Sequence, residues 1–361
     1  MMVRKMNMSY GISTAQKFVY HYFKFFHGLR VSFAFVIVFI VLRHFSDESY
    51  NYVLITLVSI LIPAPYWGTI LMRSFQRIIG IVAGSALGIL LLYIEILSYP
   101  LMLIIAIAII YFSCIIALGK NMYIGMLAAM SVSIVVTAPS GDMMEGVFRS
   151  LQTIGGALLA LIFSIIYCPK GFIFWRLKMS AVLHDIAHFY ERYTLFKPEE
   201  NIDDWKNKLA NVFSTLFLCG NYVAAANKET GIPAIYFQKL QNRCYRLVSI
   251  LQLLSDTFDE KYYSQSLRAT NPYLLKLQRN NHGIILLLSE ILILGRSDQS
   301  KYDIINKLRE NNIKLNTKLN FSNQSNDGNI MMLGIAIDIM KIIDDMFDLI
   351  QMNNDLYTHS K

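Results

Sequence analysis

The sequence predicts an all-α membrane protein whose spans are followed by a polar helical half. Three observations predict it. Hydrophobic residues make up 55% of the 361, charged residues only 16%, and mean hydropathy is +0.42, whereas a soluble chain carries roughly 25% charged residues. Uncharged windows long enough for a bilayer follow one another through the first half. The charge divides at the same place: residues 1–180 hold 13 Lys and Arg against 5 Asp and Glu, and residues 181–361 hold 20 of each. This composition excludes disordered, collagen-like and disulfide-stapled chains. A neutral polar half also excludes a basic nucleic-acid-binding surface.

Residues 1–28 form an N-terminal segment. Within it, 14–27 (TAQKFVYHYFKFFH) reads either as an interfacial helix or as an extension of the first span. The first apolar run lacks a small-residue cleavage site, so no cleavable signal is expected. Residues 29–170 form the transmembrane domain, with six spans at 31–42, 49–72, 78–94, 96–119, 121–141 and 150–169. The first is short, but Arg30 and Arg43 at its ends can extend to the interface.

The loops set an orientation. Arg4, Lys5, Lys17, Lys24 and Arg30 precede span 1, Arg73 and Arg77 lie between spans 2 and 3, Lys120 between 4 and 5, and Lys170, Arg176 and Lys178 after 6. The alternate loops carry Asp47, Glu48, Glu95, Asp142 and Glu145, with Arg43 and Arg149 as their basic residues. Cytoplasmic loops collect Lys and Arg, which places both termini in the cytoplasm.

Residues 171–361 read as a cytoplasmic helical domain. The run from Trp175 is expected to continue span 6 as one helix. Further helices are expected near 201–226, 234–258, 272–295, 299–319 and 330–351, separated by Pro198, Gly231-Ile232-Pro233, Asn271-Pro272 and a polar run at 322–328. Cys114, Cys168, Cys219 and Cys244 have neither metal nor redox spacing and read as free thiols.

An internal repeat is visible. RSFQRIIGIVAG at 73–84 and RSLQTIGGALLA at 149–160 share Arg73/Arg149, Ser74/Ser150, Gln76/Gln152, Ile78/Ile154 and Gly80/Gly156. Each segment opens the third span of a three-span set. Three is odd, so the copies face opposite ways, the 3+3 inverted repeat of secondary transporters. Gly80, Gly84 and Gly88 also form a small-residue face, for helix packing within the fold or across a homodimer.

On these residues the chain resembles the aromatic acid exporter and fusaric acid resistance superfamily of membrane transporters, in a half-size form. The matching pieces are His27-Gly28-Leu29-Arg30, Pro65-Tyr66-Trp67-Gly68 with Arg73 and Arg77-Ile78-Ile79-Gly80, Gly119-Lys120-Asn121, Ala138-Pro139, and the Arg149 helix ending Tyr167-Cys168-Pro169-Lys170. They cover about 27–195. The family usually has Thr after the first glycine of span 3; Ile81 stands here. The resemblance implies export of small organic anions, typically aromatic carboxylates, across a bacterial inner membrane. It also implies a homodimer that restores the double-length arrangement, and a periplasmic adaptor as a further partner. A passive organic-anion channel and a non-transporting scaffold are the alternatives.

The chemistry rests on arginine. Guanidinium binds carboxylate with two parallel hydrogen bonds and keeps its proton. Arg73 and Arg77 share a helix face, Arg30 ends span 1, and Arg149 lies at the opposite mouth, so all four are candidates for a substrate path, with Gln76 and Gln152 as hydrogen-bonding partners. Anchoring helices to the headgroups is the competing role. The spans hold too few carboxylates to pair these arginines, which leaves a transported anion as the partner. Glu95, His44 and His27 are the candidates for proton coupling, all at span ends. His184, His188 and Glu191 have a spacing that can hold a metal, but read as a solvated face. No phosphate loop and no nucleophile–base pair is present, so neither catalysis nor a cofactor or metal is expected.

Overall fold

The computed structural model describes residues 11–45, 51–62, 67–139, 142–166, 169–195, 202–257, 272–294, 299–322 and 327–356. Among them there are thirteen helices and no strand. The chain forms two compact units, Phe18–Pro169 and Lys170–Lys361, the latter joined by the described residues up to Lys17.

The Phe18–Pro169 unit begins within α1 (Thr14–His21). Ser13 and Gln16 cap that helix reciprocally, each side chain bonding the other's backbone N–H at 3.1 and 3.2 Å. A turn at Tyr22 separates it from α2 (Phe23–Phe45). The chain at 14–27 is therefore two helices rather than one. There follow α3 (Asn51–Leu61), α4 (Trp67–Leu97), α5 (Tyr99–Leu118), α6 (Met122–Val136) and α7 (Met143–Ile166).

Proline sets several of these boundaries. The expected span at 49–72 is corrected to the short α3, which stops two residues before Pro63. Proline lacks an N–H and pushes the preceding residue out of the α region. Likewise α6 stops three residues before Pro139, and Pro100 lies in the first turn of α5, where its missing N–H costs nothing. Helices α2, α4, α5 and α7 are long and apolar enough to cross a membrane, whereas α3 and α6 are apolar but shorter. The packing is reciprocal: α4 lies along α6, α7 lies along α3, and α4 and α7 meet. Large apolar side chains such as Phe33 and Ile40 on α2, and Ile104 and Ile107 on α5, face outward, as lipid-facing helices require.

The Lys170–Lys361 unit holds α8 (Gly171–Leu195), α9 (Ile202–Thr230), α10 (Ala234–Thr257), α11 (Pro272–Leu294), α12 (Gln299–Ser322) and α13 (Asp327–Leu356). Helix α8 is central, against α9, α10 and α11. It does not continue α7, as the sequence suggested. It starts afresh at Gly171, and the buried carboxylate of Glu229 accepts the N–H groups of Gly171 and Phe172 at 2.9 and 2.8 Å. A carboxylate there also meets the positive end of the helix dipole. Residues 207–230 of α9 are long and apolar enough to span a bilayer too. Their apolar residues Val212, Leu216, Cys219, Val223 and Ala226 are buried in the core of their own unit.

Two polar devices fix this unit. Arg176, 1% exposed, donates to the carbonyls of Leu292 and Ile293 at 2.6 and 3.3 Å, closing the end of α11, and burial lowers its guanidinium pKa to about 10. Ile12 donates its N–H to the same Ile293 carbonyl at 2.9 Å. Deeper in, Asn280 donates to Asn312 at 2.8 Å, Asn312 to Asn281 at 3.0 Å, and Asn281 to the Ala336 carbonyl at 3.0 Å, joining α11, α12 and α13.

Candidate functional site

Arg77 is 2% exposed on α4. Its Nη1 donates to the carbonyl oxygen of Ile60 at 2.7 Å. Because α3 ends at Leu61, that carbonyl has no helical N–H to receive. It also belongs to the negative end of the helix dipole. On its other side the guanidinium lies 4.7 Å from the ring centre of Tyr123, the second residue of α6. Arg77 thus joins the end of one short helix to the beginning of the other.

Arg149 on α7 makes the mirror arrangement. Its Nη1 donates to Thr137 Oγ1 at 3.0 Å, on the residue that follows α6. Its guanidinium lies 5.1 Å from the ring centre of Tyr52, the second residue of α3. Its Nε donates to Glu145 at 2.9 Å, one turn earlier on α7. Glu145, read from the sequence as a loop residue, lies in the first turn of α7 and gives Arg149 a carboxylate. Two of the five guanidinium N–H donors are used in these bonds, leaving others on a side chain that is 13% exposed.

The remaining candidates are placed as follows. Arg30 Nη2 bonds His27 Nδ1 at 3.1 Å, and His27 Nε2 reaches the Ile62 carbonyl at 3.1 Å, so both gather at the end of α3 beside the Arg77 contact. Gln76 donates to Asn121 Oδ1 at 3.3 Å, just ahead of α6. Gln152 is buried, and its Oε1 has no hydrogen-bond partner among the described residues. Arg73 lies within α4, and its side chain is outside the described residues.

The glycine face has a definite occupant. A Cβ on Gly80 would fall 2.7 Å from the Ile124 carbonyl oxygen; one on Gly84 would strike the carbonyl of Ala128, and one on Gly88 would fall 2.7 Å from Val135 Cβ. All three obstacles are on α6 of the same chain. In the other copy of the repeat, a Cβ on Gly156 would fall 2.5 Å from the Val53 carbonyl oxygen on α3. The face that the sequence offered to a second copy is therefore filled from within.

Sequence reasoning missed the partners: Tyr52, Tyr123, Thr137, Glu145 and the Ile60 carbonyl. A signal existed for the tyrosines. Both short helices open on Asn and Tyr, as Asn51-Tyr52 and Asn121-Met122-Tyr123.

The other unit holds a cleft of about 360 Å³ lined by His184, Asp185, His188, Lys208 and Asn211 over Phe189 and Val212. Burial raises the Asp185 pKa above the usual carboxylate range, and the two histidines oppose it. Glu191 turns away, 3.9 Å from His282 on α11. Among the described residues no three His, Cys, Asp or Glu side chains converge as a metal site.

Comparison with known proteins adds two findings. Residues 33–163 match the family model described as fusaric acid resistance protein-like. The chain is also 33% identical over 238 residues to the inner membrane protein YeeA of Escherichia coli strain K12, a match that covers 65% of this chain and 66% of that relative. The chain thus spans just under two thirds of that relative's length.

Proposed function

This chain belongs to the fusaric acid resistance protein-like family of membrane proteins, and we propose that it exports small organic anions, such as aromatic carboxylates, across a bacterial inner membrane. One observation carries the reading: Arg77 and Arg149 each clamp an end of the two short helices, in reciprocal fashion. Unusually short segments at corresponding places in two halves mark the binding region of secondary transporters. Here α3 and α6 are each the second helix of a three-helix set, and each is gripped by an arginine from the third.

The same reading takes α2–α4 and α5–α7 as a 3+3 inverted repeat with both termini cytoplasmic. The reciprocal packing of α4 on α6 and α7 on α3 supports it. The Lys170–Lys361 unit is then a cytoplasmic bundle. A homodimer fits a half-size chain but would use a face other than Gly80, Gly84 and Gly88. Transport rather than catalysis is the work of such an arrangement: guanidinium groups attract an anion and hold no nucleophile.

The test is efflux of labelled benzoate from proteoliposomes containing the purified full chain. Arg77→Gln and Arg149→Gln should each lose most of the rate while inserting normally. Arg→Lys should recover only part, because Lys lacks the planar fork. Wild-type rates in both glutamine variants would make these arginines purely structural. Uphill movement driven by a proton gradient marks an exporter, and ohmic single-channel currents mark a channel.

A further inference from the structure

Four side-chain oxygen atoms in the Phe18–Pro169 unit are buried without a hydrogen-bond partner among the described residues: Thr56 Oγ1, Ser85 Oγ, Ser131 Oγ and Gln152 Oε1. Their residues are 1%, 3%, 1% and 6% exposed. Lipid supplies no substitute partner, so such groups cost stability. Nearby hydroxyls show what a helix ordinarily does with them. Ser133 donates back to the Ala129 carbonyl at 2.9 Å, Ser150 to Gly146 at 3.0 Å, and Thr153 to Arg149 at 2.8 Å. Thr56, Ser85 and Ser131 forgo that bond.

Their placement is ordered. One lies on each of α3, α4, α6 and α7, helices that pack on one another. On α3, Thr56 stands four residues from Tyr52, which lies under Arg149, and four from Ile60, which receives Arg77. On α6, Ser131 stands between Tyr123, which lies under Arg77, and Thr137, which receives Arg149. Each hydroxyl thus sits between the two arginine contacts of its own short helix. A Cβ on Gly156 would come within 3.0 Å of Thr56 Cβ, and Gln152 is one turn away on that helix. A Cβ on Gly84 would come within 2.8 Å of Ser131 Cβ, and Ser85 is the next residue. Thr56 and Gln152 therefore belong to the α3–α7 crossing, and Ser131 and Ser85 to the two helices of the α6–α4 crossing.

We propose that these four side chains are an uncharged hydrogen-bonding station, on which a carboxylate rests between Arg77 and Arg149: the hydroxyls of Thr56, Ser85 and Ser131 donate to it, and Gln152, whose oxygen can only accept, donates through its amide nitrogen after the amide turns over. The inference rests on the export reading and extends it to the interior of the path. Hydroxyls donate to a carboxylate and replace part of its water shell. They carry no formal charge, so they hold the anion without trapping it, as conduction requires. The arginines at the ends supply attraction; the station between them supplies solvation.

The experiment uses the full chain in proteoliposomes with benzoate as probe. Thr56→Val and Ser131→Ala keep shape and remove the hydroxyl. Each should lower efflux by roughly tenfold, the loss typical of a hydrogen bond to a charged group. Both should melt at or above the wild-type temperature, since an unpartnered hydroxyl contributes nothing to the fold. Ser133→Ala, at a hydroxyl bonded back to its own helix, should transport normally. A lowered melting temperature in step with lost transport would make the hydroxyls structural and overturn the station. Normal efflux in Thr56→Val and Ser131→Ala beside inactive Arg77→Gln would overturn the station and leave export standing. Normal efflux in the arginine variants as well would bring down both.

Discussion

Arg77 rests 4.7 Å from the ring centre of Tyr123, and 71 residues earlier Tyr52 holds Arg149 in the same way at 5.1 Å. The ring replaces some of the solvation that a buried guanidinium loses, and it does so without a charge that would compete with an arriving anion. Tyr123→Leu should therefore weaken the fold by about 1–2 kcal/mol, measured by thermal unfolding in detergent, with Tyr123→Phe close to wild type. Tyr52→Leu should cost less, because Arg149 keeps Glu145 and Thr137. Equal losses at the two tyrosines would contradict this ranking.

The glycines of α4 and α7 separate packing from mere helix composition. Gly84→Ala would push a methyl into the Ala128 carbonyl, a backbone atom that cannot step aside. Its expected cost is roughly 1–3 kcal/mol. Gly155→Ala meets nothing within 4 Å and should gain up to about 1 kcal/mol from helix propensity. Gly84→Leu should damage the monomer's fold rather than its association, which size measurement in lipid nanodiscs would distinguish.

Much of the helical layout was legible because apolar runs and prolines are local signals. The spans around α2, α4, α5 and α7 were placed by composition alone. The reading failed where a local signal was outweighed. Pro63 cut the expected 49–72 span short, and α8 began anew where periodicity suggested continuity, because Glu229, 58 residues from Gly171, caps it from afar. The arginines were visible as rare charges, but their partners are backbone carbonyls and tyrosine rings brought in by packing. No spacing rule reveals an Ile60 carbonyl. The orphan hydroxyls were equally hidden, since Thr56 and Ser131 look like ordinary small residues until their burial and missing partners are seen.

Arg176 should be the most sensitive polar residue of the Lys170–Lys361 unit. Arg176→Met leaves the Leu292 carbonyl without its donor in a buried place, at a cost of about 2–3 kcal/mol in thermal unfolding. Arg176→Lys should not restore wild-type stability, because one ammonium cannot reach both the Leu292 and Ile293 carbonyls as the fork does.

The same unit should respond to acid in a particular sense. Burial raises the folded pKa of Asp185, against the pull of His184 and His188, and that of Asp344, against Arg309. A carboxyl with a raised folded pKa binds its proton more readily when folded. Its contribution is fully present below the unfolded pKa of about 3.9 and is lost as pH rises through the folded value. Asp185→Asn should thus unfold at a higher temperature than wild type at pH 7, and the gap should close as pH falls below about 4. A gap that widens in acid would reverse the sign of the argument.

The last prediction concerns sidedness. Lys and Arg gather before and at the beginning of α2, in the first part of α4 (Arg73 and Arg77), between α5 and α6, and after α7; at the opposite ends lie Asp47 and Glu48, Glu95 near the end of α4, and Asp142. Counted from a cytoplasmic N-terminus, the beginning of α3 and the end of α6 then face outward. On the proposed export reading, Arg149, bonded at the end of α6 and lying over the beginning of α3, would guard the outer opening and Arg77 the inner one. Along α6 the two contacts, Tyr123 and Thr137, are 14 residues apart, about 21 Å at 1.5 Å per residue. On the same reading, the path for an anion would be shorter than a full bilayer. Reporter fusions at Ser46 and Asp142 should read outside and one at Lys361 inside. An impermeant thiol reagent added from outside should label a cysteine placed at Asp142 and spare one placed at Lys120. An outside signal from Lys361 would invert the roles of the two arginines and refute the six-span reading with them.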